Sequence, residues 1–260
     1  MRVFGQPNDL SRRGFLASAL GAVAAGCTAP VPEVEVAAVD PRSTFQRLLD
    51  AQGVPYQAPK AGKAILVNIP GFEVLALQDG EPVLRSRAIV GTRRDQTPVM
   101  GTRTSVVRFR PTWRPTPTMV RRGEYPDRVW PAGADNPLGL AALRLEPGML
   151  IYLHSTNRPQ LFDREARALS HGCVRVEAWD ALMAWAAGID LETFHRNTRS
   201  AGTFDVPTDG SIPVTFGYFL NFPDAAGAPR SHADIYGRGE SSRFGAPVHA
   251  TPAGTVPQPA

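Results

Sequence analysis

A histidine and a cysteine occur in a pattern that suits covalent acyl transfer. His154 follows the apolar run Ile151–Leu153, and sixteen residues later the chain continues as His171-Gly172-Cys173. Such chemistry needs a nucleophile, a base within hydrogen-bond reach and a group that orients the base. We expect the His-Gly-Cys turn to open the helix that follows it, where the helix N-terminus would lower the pKa of the Cys173 thiol.

Two histidines, His154 and His171, compete for the role of base. A histidine two residues before the cysteine on a turn often points away from it, whereas a histidine from a separate strand can face the sulfur. We therefore favour His154. We expect Ser155 or Ser170 to fix its tautomer by accepting a hydrogen bond, and the sequence does not decide between them.

Gly172 places no side chain next to the nucleophile. The backbone N–H groups of His171, Gly172 and Cys173 are therefore expected to converge on the oxyanion that develops when the sulfur attacks a carbonyl.

Other interpretations of these residues are weaker. A lone Cys173 would be a buried structural residue, since free cysteine is usually buried. A zinc site could use His154, His171 and Cys173, but no further Asp or Glu pattern supports it. A papain-like protease is disfavoured because its Cys-Gly-Ser-Cys-Trp signature is missing. The three remaining histidines, His195, His232 and His249, are expected on the surface or in loops.

Short apolar runs from Ala64 onward predict strands at 64–69, 72–77, 83–90, 105–110, 149–154 and 214–222. The residues Gln78-Asp79-Gly80-Glu81 between the second and third runs predict a hairpin turn. A few short helices are expected, among them Thr44–Gln52 and Glu177–Ala187, which is the strongest helical stretch. Several strands with little helix between them favour a β-sandwich or barrel over a parallel α/β sheet.

The segment from Pro111 to Pro147 is rich in Pro, Gly and Arg and contains Trp113 and Trp130. Loops of this length are uncommon unless they act as lids or binding loops. The two tryptophans argue against disorder. We therefore expect a long lid loop.

The N-terminal residues predict export. Arg12-Arg13 before Phe15-Leu16 resembles a twin-arginine signal, and residues 17–26 are small or apolar without a charge. Val23-Ala24-Ala25-Gly26-Cys27 resembles a lipoprotein site, although Ala24 stands where Leu is usual, so lipidation of Cys27 and cleavage at an Ala-x-Ala site are both open. We predict a signal at 1–27, a tether with one short helix at 28–60, a catalytic domain at 61–222 and a C-terminal extension at 223–260, disordered from Ala246.

The charge of the chain does not indicate nucleic-acid binding. The formal net charge is +4. Without residues 1–26, 25 basic residues face 23 acidic ones, a net charge of about +2.

The motif resembles that of the L,D-transpeptidases, bacterial cell-wall enzymes with a mainly β catalytic domain. In that family a histidine is followed, after about fifteen residues, by Ser/Thr-His-Gly-Cys, a hydrophobic residue and Asn or Arg. Here the pattern is His154, fifteen residues, and Ser170 to Arg175. Asn136-Pro137-Leu138-Gly139 is similar to a second family signature, and Asp234-Ile235-Tyr236-Gly237 to the tail of a Gram-negative subgroup. The peptidoglycan-binding module of that subgroup is not recognisable before Ala64.

The resemblance implies roles for particular residues. Cys173 would be the nucleophile, His154 the proton acceptor and donor, and His171 and Gly172 part of the oxyanion turn. The expected substrate-binding residues are Ser155, Ser170, Arg175, Trp113 and Trp130.

The resemblance also implies a reaction. Cys173 would attack the bond between a diamino acid and the terminal D-Ala of a peptidoglycan tetrapeptide stem, and an amine would resolve the thioester without a metal or other cofactor. Carbapenem-type inhibitors are expected to acylate Cys173. The alternatives are a hydrolase of the same fold that uses water as acceptor and a wall-binding protein without turnover. The implied location is the periplasm or cell envelope, where a lipidated Cys27 would anchor the chain to the membrane.

Overall fold

The strand-forming runs of the sequence assemble into a mainly β domain, as expected. The computed structural model describes residues 40–239. In chain order, its strands are β1 (Lys63–Asn68), β2 (Glu73–Gln78), β3 (Glu81–Gly91), β4 (Met100–Phe109), β5 (Ala141–Leu145), β6 (Tyr152–His154), β7 (Ala168–Ser170), β8 (Val174–Val176), β9 (Phe204–Pro207), β10 (Pro213–Gly217), β11 (Asn221–Pro223) and β12 (Pro229–Ser231). Its helices are α1 (Thr44–Ala51), α2 (Pro117–Arg121), α3 (Trp179–Ala187) and α4 (Leu191–Thr198), with a 3₁₀ turn at Pro159–Asp163.

The two longest strands, β3 and β4, join two sheets into a closed sandwich. The N-terminal part of β3 pairs with β2, and its C-terminal part pairs with β8 and β7. The start of β4 pairs with β10, and the rest of β4 pairs with β5 and β9. The strands therefore run in the order β10-β1-β2-β3-β8-β6-β5-β4, and β4 pairs back to β10.

The β2–β3 connection is the predicted hairpin. Its two loop residues, Asp79 and Gly80, have φ values of 52° and 81°. Positive φ at both positions matches the twist of the flanking strands, and glycine and aspartate tolerate it. The turn chemistry therefore sets the register of these two strands.

Apolar side chains between the two sheets form the main core. Val67, Leu143, Leu153 and Val174 are fully buried there. Helices α3 and α4 add buried side chains, among them Met183 and Phe194, to the same core. The opposite face of the β5–β6–β8 sheet is thereby left for the functional site.

Helix α1 covers the outer face of β1 and β2, so it belongs to the folded domain and not to a tether. The compact unit begins at Pro41. Ser43 caps α1 by accepting a hydrogen bond from the N–H of Gln46. Phe45 and Leu49 of the helix pack against a second buried cluster that includes Phe222. The predicted helix is confirmed, and the compact unit includes it. The expected start of the catalytic domain at residue 61 stays a prediction.

The chain around the Cys173 motif differs from the expected strand-to-helix order. Strand β8 follows Cys173 directly, and α3 begins only at Trp179. Three-residue strands carry too little periodicity to be recognised in a sequence. Helix α4 was also not expected, and the predicted strand at 214–222 is two strands, β10 and β11.

The domain also extends past residue 222. Tyr236 is buried, donates a hydrogen bond from its hydroxyl to the carbonyl oxygen of Gly91 (2.7 Å) and accepts one from the N–H of Thr97 (3.1 Å). Part of the predicted C-terminal extension therefore packs on the domain, and the boundary at 222 stays a prediction. The predicted export signal, the lipidation of Cys27 and the disorder expected from Ala246 lie outside the described residues. Within residues 40–239, no helix has the length and apolar character needed to cross a bilayer.

Candidate active site

His154 and Cys173 lie on neighbouring parallel strands. Strands β6 and β8 pair with Leu153 opposite Val174 and His154 opposite Arg175. Successive side chains of a strand point to opposite faces. Because Leu153 and Val174 fill the core, the side chains of His154, Cys173 and Arg175 project from the other face of the sheet.

A cavity of about 200 Å³ opens over this face. Its lining combines the motif residues with side chains from the lid. The lining residues are Thr112, Trp113, Arg114, Thr116, Met119, Tyr125, Pro137, Leu138, Leu150, Tyr152, His154, Ser170, His171, Cys173 and Arg175.

The ring of His154 is held by the backbone of the next residue. Its Nδ1 atom lies 2.6 Å from the carbonyl oxygen of Ser155. A carbonyl oxygen can only accept, so Nδ1 carries the hydrogen and Nε2 keeps a free lone pair. Burial of the ring, with the nearby charge of Arg175, lowers the pKa of His154 to about 3. The ring is therefore a neutral base at physiological pH.

The thiol of Cys173 is protonated in this arrangement. Burial raises the pKa of the thiol to about 11, although a hydrogen bond from the Tyr152 backbone and the charge of Arg175 oppose this shift. The thiol donates to the carbonyl oxygen of Leu150, 3.4 Å away. Among the described residues, no hydrogen bond joins Cys173 to His154. The expectation of a thiol pKa lowered by a helix N-terminus is wrong, because β8 and not a helix follows Cys173.

Ser170 closes the turn that carries the cysteine. Its hydroxyl donates to the carbonyl oxygen of Cys173 (2.5 Å) and accepts from the N–H of Gly172 (3.1 Å). The Gly172 N–H is therefore used inside the turn and cannot serve the oxyanion, contrary to expectation. The N–H groups of His171 and Cys173 remain as candidates. Gly172 itself has φ +110°, a conformation that favours glycine.

His171 faces the lid. Its Nε2 atom lies 2.7 Å from a carboxylate oxygen of Glu124, and its ring contacts the ring of Tyr125. Burial raises the pKa of Glu124, but hydrogen bonds from His171 and Arg94 outweigh it and the net direction is down. Glu124 lies 47 residues from His171 in the chain, and no spacing rule in the sequence connects them.

Further ion pairs fasten the same part of the lid to the loop between β3 and β4. Arg94 binds Glu124, and Arg122 donates to both oxygens of Asp95 at 2.7 and 3.0 Å. Two loops and the catalytic turn thus share one polar network. The sequence does not indicate this network, because His171 is the one member of it that belongs to a recognisable motif.

The irregular part of the lid is shorter than predicted. Residues 141–145 form the buried strand β5, and α2 interrupts the rest. Trp113 and Trp130 pair through their backbones (2.9 and 2.6 Å) and lie with their rings 6.3 Å apart. Trp113 lines the cavity, whereas Trp130 does not. Trp130 therefore supports Trp113, and its expected contact with substrate stays a prediction.

The second sequence signature, Asn136 to Gly139, positions the lid on β6. The buried amide of Asn136 donates to the carbonyl oxygens of Pro111 (2.8 Å) and Pro131 (3.0 Å) and accepts from the N–H of Leu138 (2.9 Å). The Ser155 hydroxyl donates to the Leu138 carbonyl oxygen (3.0 Å) and accepts from the N–H of Leu140 (2.7 Å). The Ser155 hydroxyl therefore holds the lid against the end of β6, and the Ser155 backbone carbonyl orients the ring of His154.

Arg175 completes the polar part of the cavity. Its Nε atom is buried without a hydrogen-bond partner, and burial lowers the pKa of its guanidinium. An unpartnered buried donor of this kind is costly unless a ligand accepts from it. Its predicted role in binding substrate stays a prediction.

Nothing in residues 40–239 gathers three or more His, Cys, Asp or Glu side chains in a way that could hold a metal ion. The three residues of the zinc alternative, His154, His171 and Cys173, thus do not form such a group. The Nε2 atom of His171 is already bound to Glu124.

Comparison with known proteins decides the family. The model of the L,D-transpeptidase catalytic domain (YkuD) matches residues 62–202, just over half of the chain. The chain belongs to this family. It is 31% identical over 221 residues to a Haemophilus influenzae protein named "Putative L,D-transpeptidase". That alignment covers 69% of this chain and 45% of the relative, so the chain spans about half the length of that protein.

Solved structures of the family resemble the chain more distantly. An L,D-transpeptidase from Mycobacterium smegmatis is 16% identical, with a TM-score of 0.37 over 60% of this chain and 59% of that one. An L,D-transpeptidase from Stackebrandtia nassauensis is 17% identical, with a TM-score of 0.37 over 68% and 65% of the two chains. The family assignment rests on the match at residues 62–202.

Proposed function

We propose that this protein is a peptidoglycan L,D-transpeptidase with Cys173 as nucleophile and His154 as general base. One observation carries the proposal: the two side chains line a single cavity, and the Nε2 lone pair of His154 is free because Nδ1 is bound to Ser155. The substrate class follows from the family, whose activity is transfer at the L,D bond of peptide stems.

In the first step the thiol rotates from the Leu150 carbonyl towards His154. His154 Nε2 accepts the S–H proton as the sulfur attacks the carbonyl between the diamino acid and the terminal D-Ala. Both groups are neutral at rest, with pKa values of about 11 for Cys173 and about 3 for His154. Proton transfer therefore accompanies the attack and does not precede it.

The backbone N–H groups of His171 and Cys173 stabilise the resulting oxyanion. The tetrahedral intermediate collapses when the C–N bond to D-Ala breaks, and His154 returns its proton to the leaving nitrogen. An amine of a second stem then attacks the thioester, giving up its proton to His154, and restores the thiol. With water as acceptor, the same cycle is a hydrolysis.

Lid side chains such as Trp113, Met119 and Tyr125 line the cavity around Cys173. A peptide stem and an acceptor amine would therefore bind between the lid and the catalytic turn. The twin-arginine pattern supports action in the periplasm or cell envelope.

The decisive experiment uses the full chain and a purified disaccharide–tetrapeptide, with products identified by mass spectrometry. We expect release of D-Ala and a cross-linked dimer. Cys173→Ala is expected to remain folded and to release no D-Ala, and a carbapenem is expected to add once, at Cys173. Retained turnover in folded Cys173→Ala, or an adduct elsewhere, would contradict the proposal. Release of tripeptide alone would identify the hydrolase.

His195 provides the matched control for His154. His195 on α4 binds Asp180 on α3 at 2.9 Å and does not line the cavity. We expect His154→Ala to reduce turnover at least a hundredfold, the size of a general-base contribution, and His195→Ala to leave it nearly unchanged. Equal losses in the two variants would exclude His154 as the base.

A further inference from the structure

A second cavity lies on the outside of the domain and shares no lining residue with the catalytic cavity. Its volume is about 610 Å³. Four arginines line it, against the two carboxylates of Glu73 and Asp224. We call it the arginine groove and define it by Phe72, Arg85, Arg87, Arg167, Arg230 and His232.

Two of the four arginines are already neutralised. Arg85 binds Glu73 at 2.8 Å. Arg87 binds both oxygens of Glu177, with its Nε atom 2.6 Å from one of them. These two pairs form the structural part of the groove and leave little charge for a ligand.

Arg167 is a fixed cation that forms no ion pair with a carboxylate of the described residues. Its guanidinium donates only to backbone carbonyl oxygens, those of Ala88 (3.1 Å), Arg164 (2.9 Å) and Phe72 (3.4 Å), with a longer contact to that of Glu165. Burial and the charges of Arg87 and Arg230 lower its pKa, and the charges of Glu177 and Glu73 partly oppose this shift. Because neither carboxylate is hydrogen-bonded to it, an anion that binds directly to this partly buried cation would stabilise it.

The backbone beneath Arg167 is strained. Phe72 has φ +52°, an outlier for a bulky residue. This conformation places its ring under Arg167, with the guanidinium carbon 5.4 Å from the ring centroid. Strain of this kind is typical of binding sites, where surrounding structure keeps it in place.

Two more groups in the groove make no side-chain hydrogen bond in the described part of the chain. Arg230 is exposed and forms no ion pair there, although its charge acts on Glu73. The Nε2 atom of His232 is buried without a hydrogen bond. His232 lies in a loop, as expected, and is only partly exposed.

We propose that the arginine groove binds an oxyanion, either a carboxylate or a phosphate, carried by a ligand outside the catalytic reaction. Arg230 supplies a free guanidinium fork, Arg167 supplies a fixed charge and His232 supplies a buried ring nitrogen. Arginine forks match both oxyanions in geometry, and the ring of Phe72 offers an apolar surface for the rest of the ligand.

The test titrates the full chain with inorganic pyrophosphate and, separately, with tricarballylate, at physiological ionic strength. Binding is followed through the ring signals of the histidines by NMR, with His232 assigned from His232→Gln. We expect the His232 signal to shift saturably while those of His154 and His171 stay unchanged. A response to one anion only identifies phosphate or carboxylate as the recognised group.

Arg230→Gln is expected to weaken binding about tenfold, since it removes one charged fork. Arg199→Gln is the matched control, because Arg199 is exposed, makes no described side-chain contact and lies outside the groove. The proposal would be overturned if neither anion saturated the shift of the His232 signal at concentrations below about 10 mM. So would shifts confined to His154 and His171, or equal weakening by both substitutions.

Discussion

The thiol of Cys173 donates its hydrogen bond to the carbonyl oxygen of Leu150, 3.4 Å away. A carbonyl acceptor stabilises the thiol and not the thiolate, and burial acts in the same direction. The resting nucleophile is therefore masked, and His154 becomes its partner only after a side-chain rotation. This distinguishes the site from one that holds a preformed thiolate–imidazolium pair.

Alkylation of Cys173 by iodoacetamide should reflect this masked state. Only the thiolate reacts with iodoacetamide. Because the pKa of Cys173 is about 11 and that of an ordinary cysteine is about 8.5, the thiolate fraction of Cys173 at pH 7 is about 300-fold lower. The alkylation rate should be lower by the same factor. We expect the rate to rise about tenfold per pH unit up to about pH 10. Site-resolved mass spectrometry measures it, with glutathione as the reference thiol. A plateau below pH 9 would show that the thiol is not masked.

His154 should make the stability of the domain depend on pH. Because its pKa is about 3 in the folded chain and about 6.5 in an unfolded one, the unfolded chain binds the proton more readily. Stability is complete above pH 6.5 and falls as the pH drops towards 3. The expected loss between pH 7 and pH 5 is about 2 kcal/mol.

Urea unfolding of the full chain at pH 7 and pH 5 measures this contribution. His154→Gln should remove about 2 kcal/mol of the pH-dependent loss, while His195→Gln should keep it. If both variants retain the wild-type dependence, the ring of His154 is not held neutral by its environment.

Local sequence signals predicted the parts of the structure that depend on neighbouring residues. The Asp79-Gly80 turn, helix α1 and the strand runs from Ala64 onward follow from backbone preference and apolar pattern. The motif identified both Cys173 and His154 as lining residues of one cavity, because their family pattern is specific.

Features that depend on tertiary contacts could not be predicted. Strand β8 is only three residues long, so the sequence pointed to a helix after Cys173 and to the wrong direction of its pKa shift. The Gly172 N–H donates to the Ser170 hydroxyl two residues away. This hydrogen bond depends on the geometry of the turn, which the sequence does not specify. The contact of Glu124 with His171 spans 47 residues and has no signature.

Glu124 should act on the reaction through His171. The charged hydrogen bond at 2.7 Å fixes the ring beside the catalytic turn, and such bonds are about twice as strong as neutral ones. We expect Glu124→Gln to lower kcat for D-Ala release about tenfold, with a smaller change in KM. Steady-state kinetics with the disaccharide–tetrapeptide measures both.

Asp135→Asn is the control for this effect. Asp135 lies in the same lid, is exposed and makes no described side-chain contact, so the substitution removes an equal charge without touching His171. A matching loss in Asp135→Asn would mean that the lid's overall charge, and not the contact of Glu124 with His171, sets the rate.

Gly139 should be sensitive to the addition of a single methyl group. A Cβ at this position would lie 2.2 Å from the Ser155 Oγ and 2.7 Å from the N–H nitrogen of Thr156, and the φ of Gly139 is +69°.

Gly53 is the control for this substitution, because it has nearly the same φ, +66°, but open space around it. Gly53→Ala therefore measures the backbone strain alone, about 1 kcal/mol. Gly139→Ala should cost about 1–3 kcal/mol more from overpacking and should also lower turnover, since Ser155 orients His154. Equal unfolding free energies for the two variants in urea would show that the lid accommodates the methyl group and that the contact between Gly139 and Ser155 does not position the base.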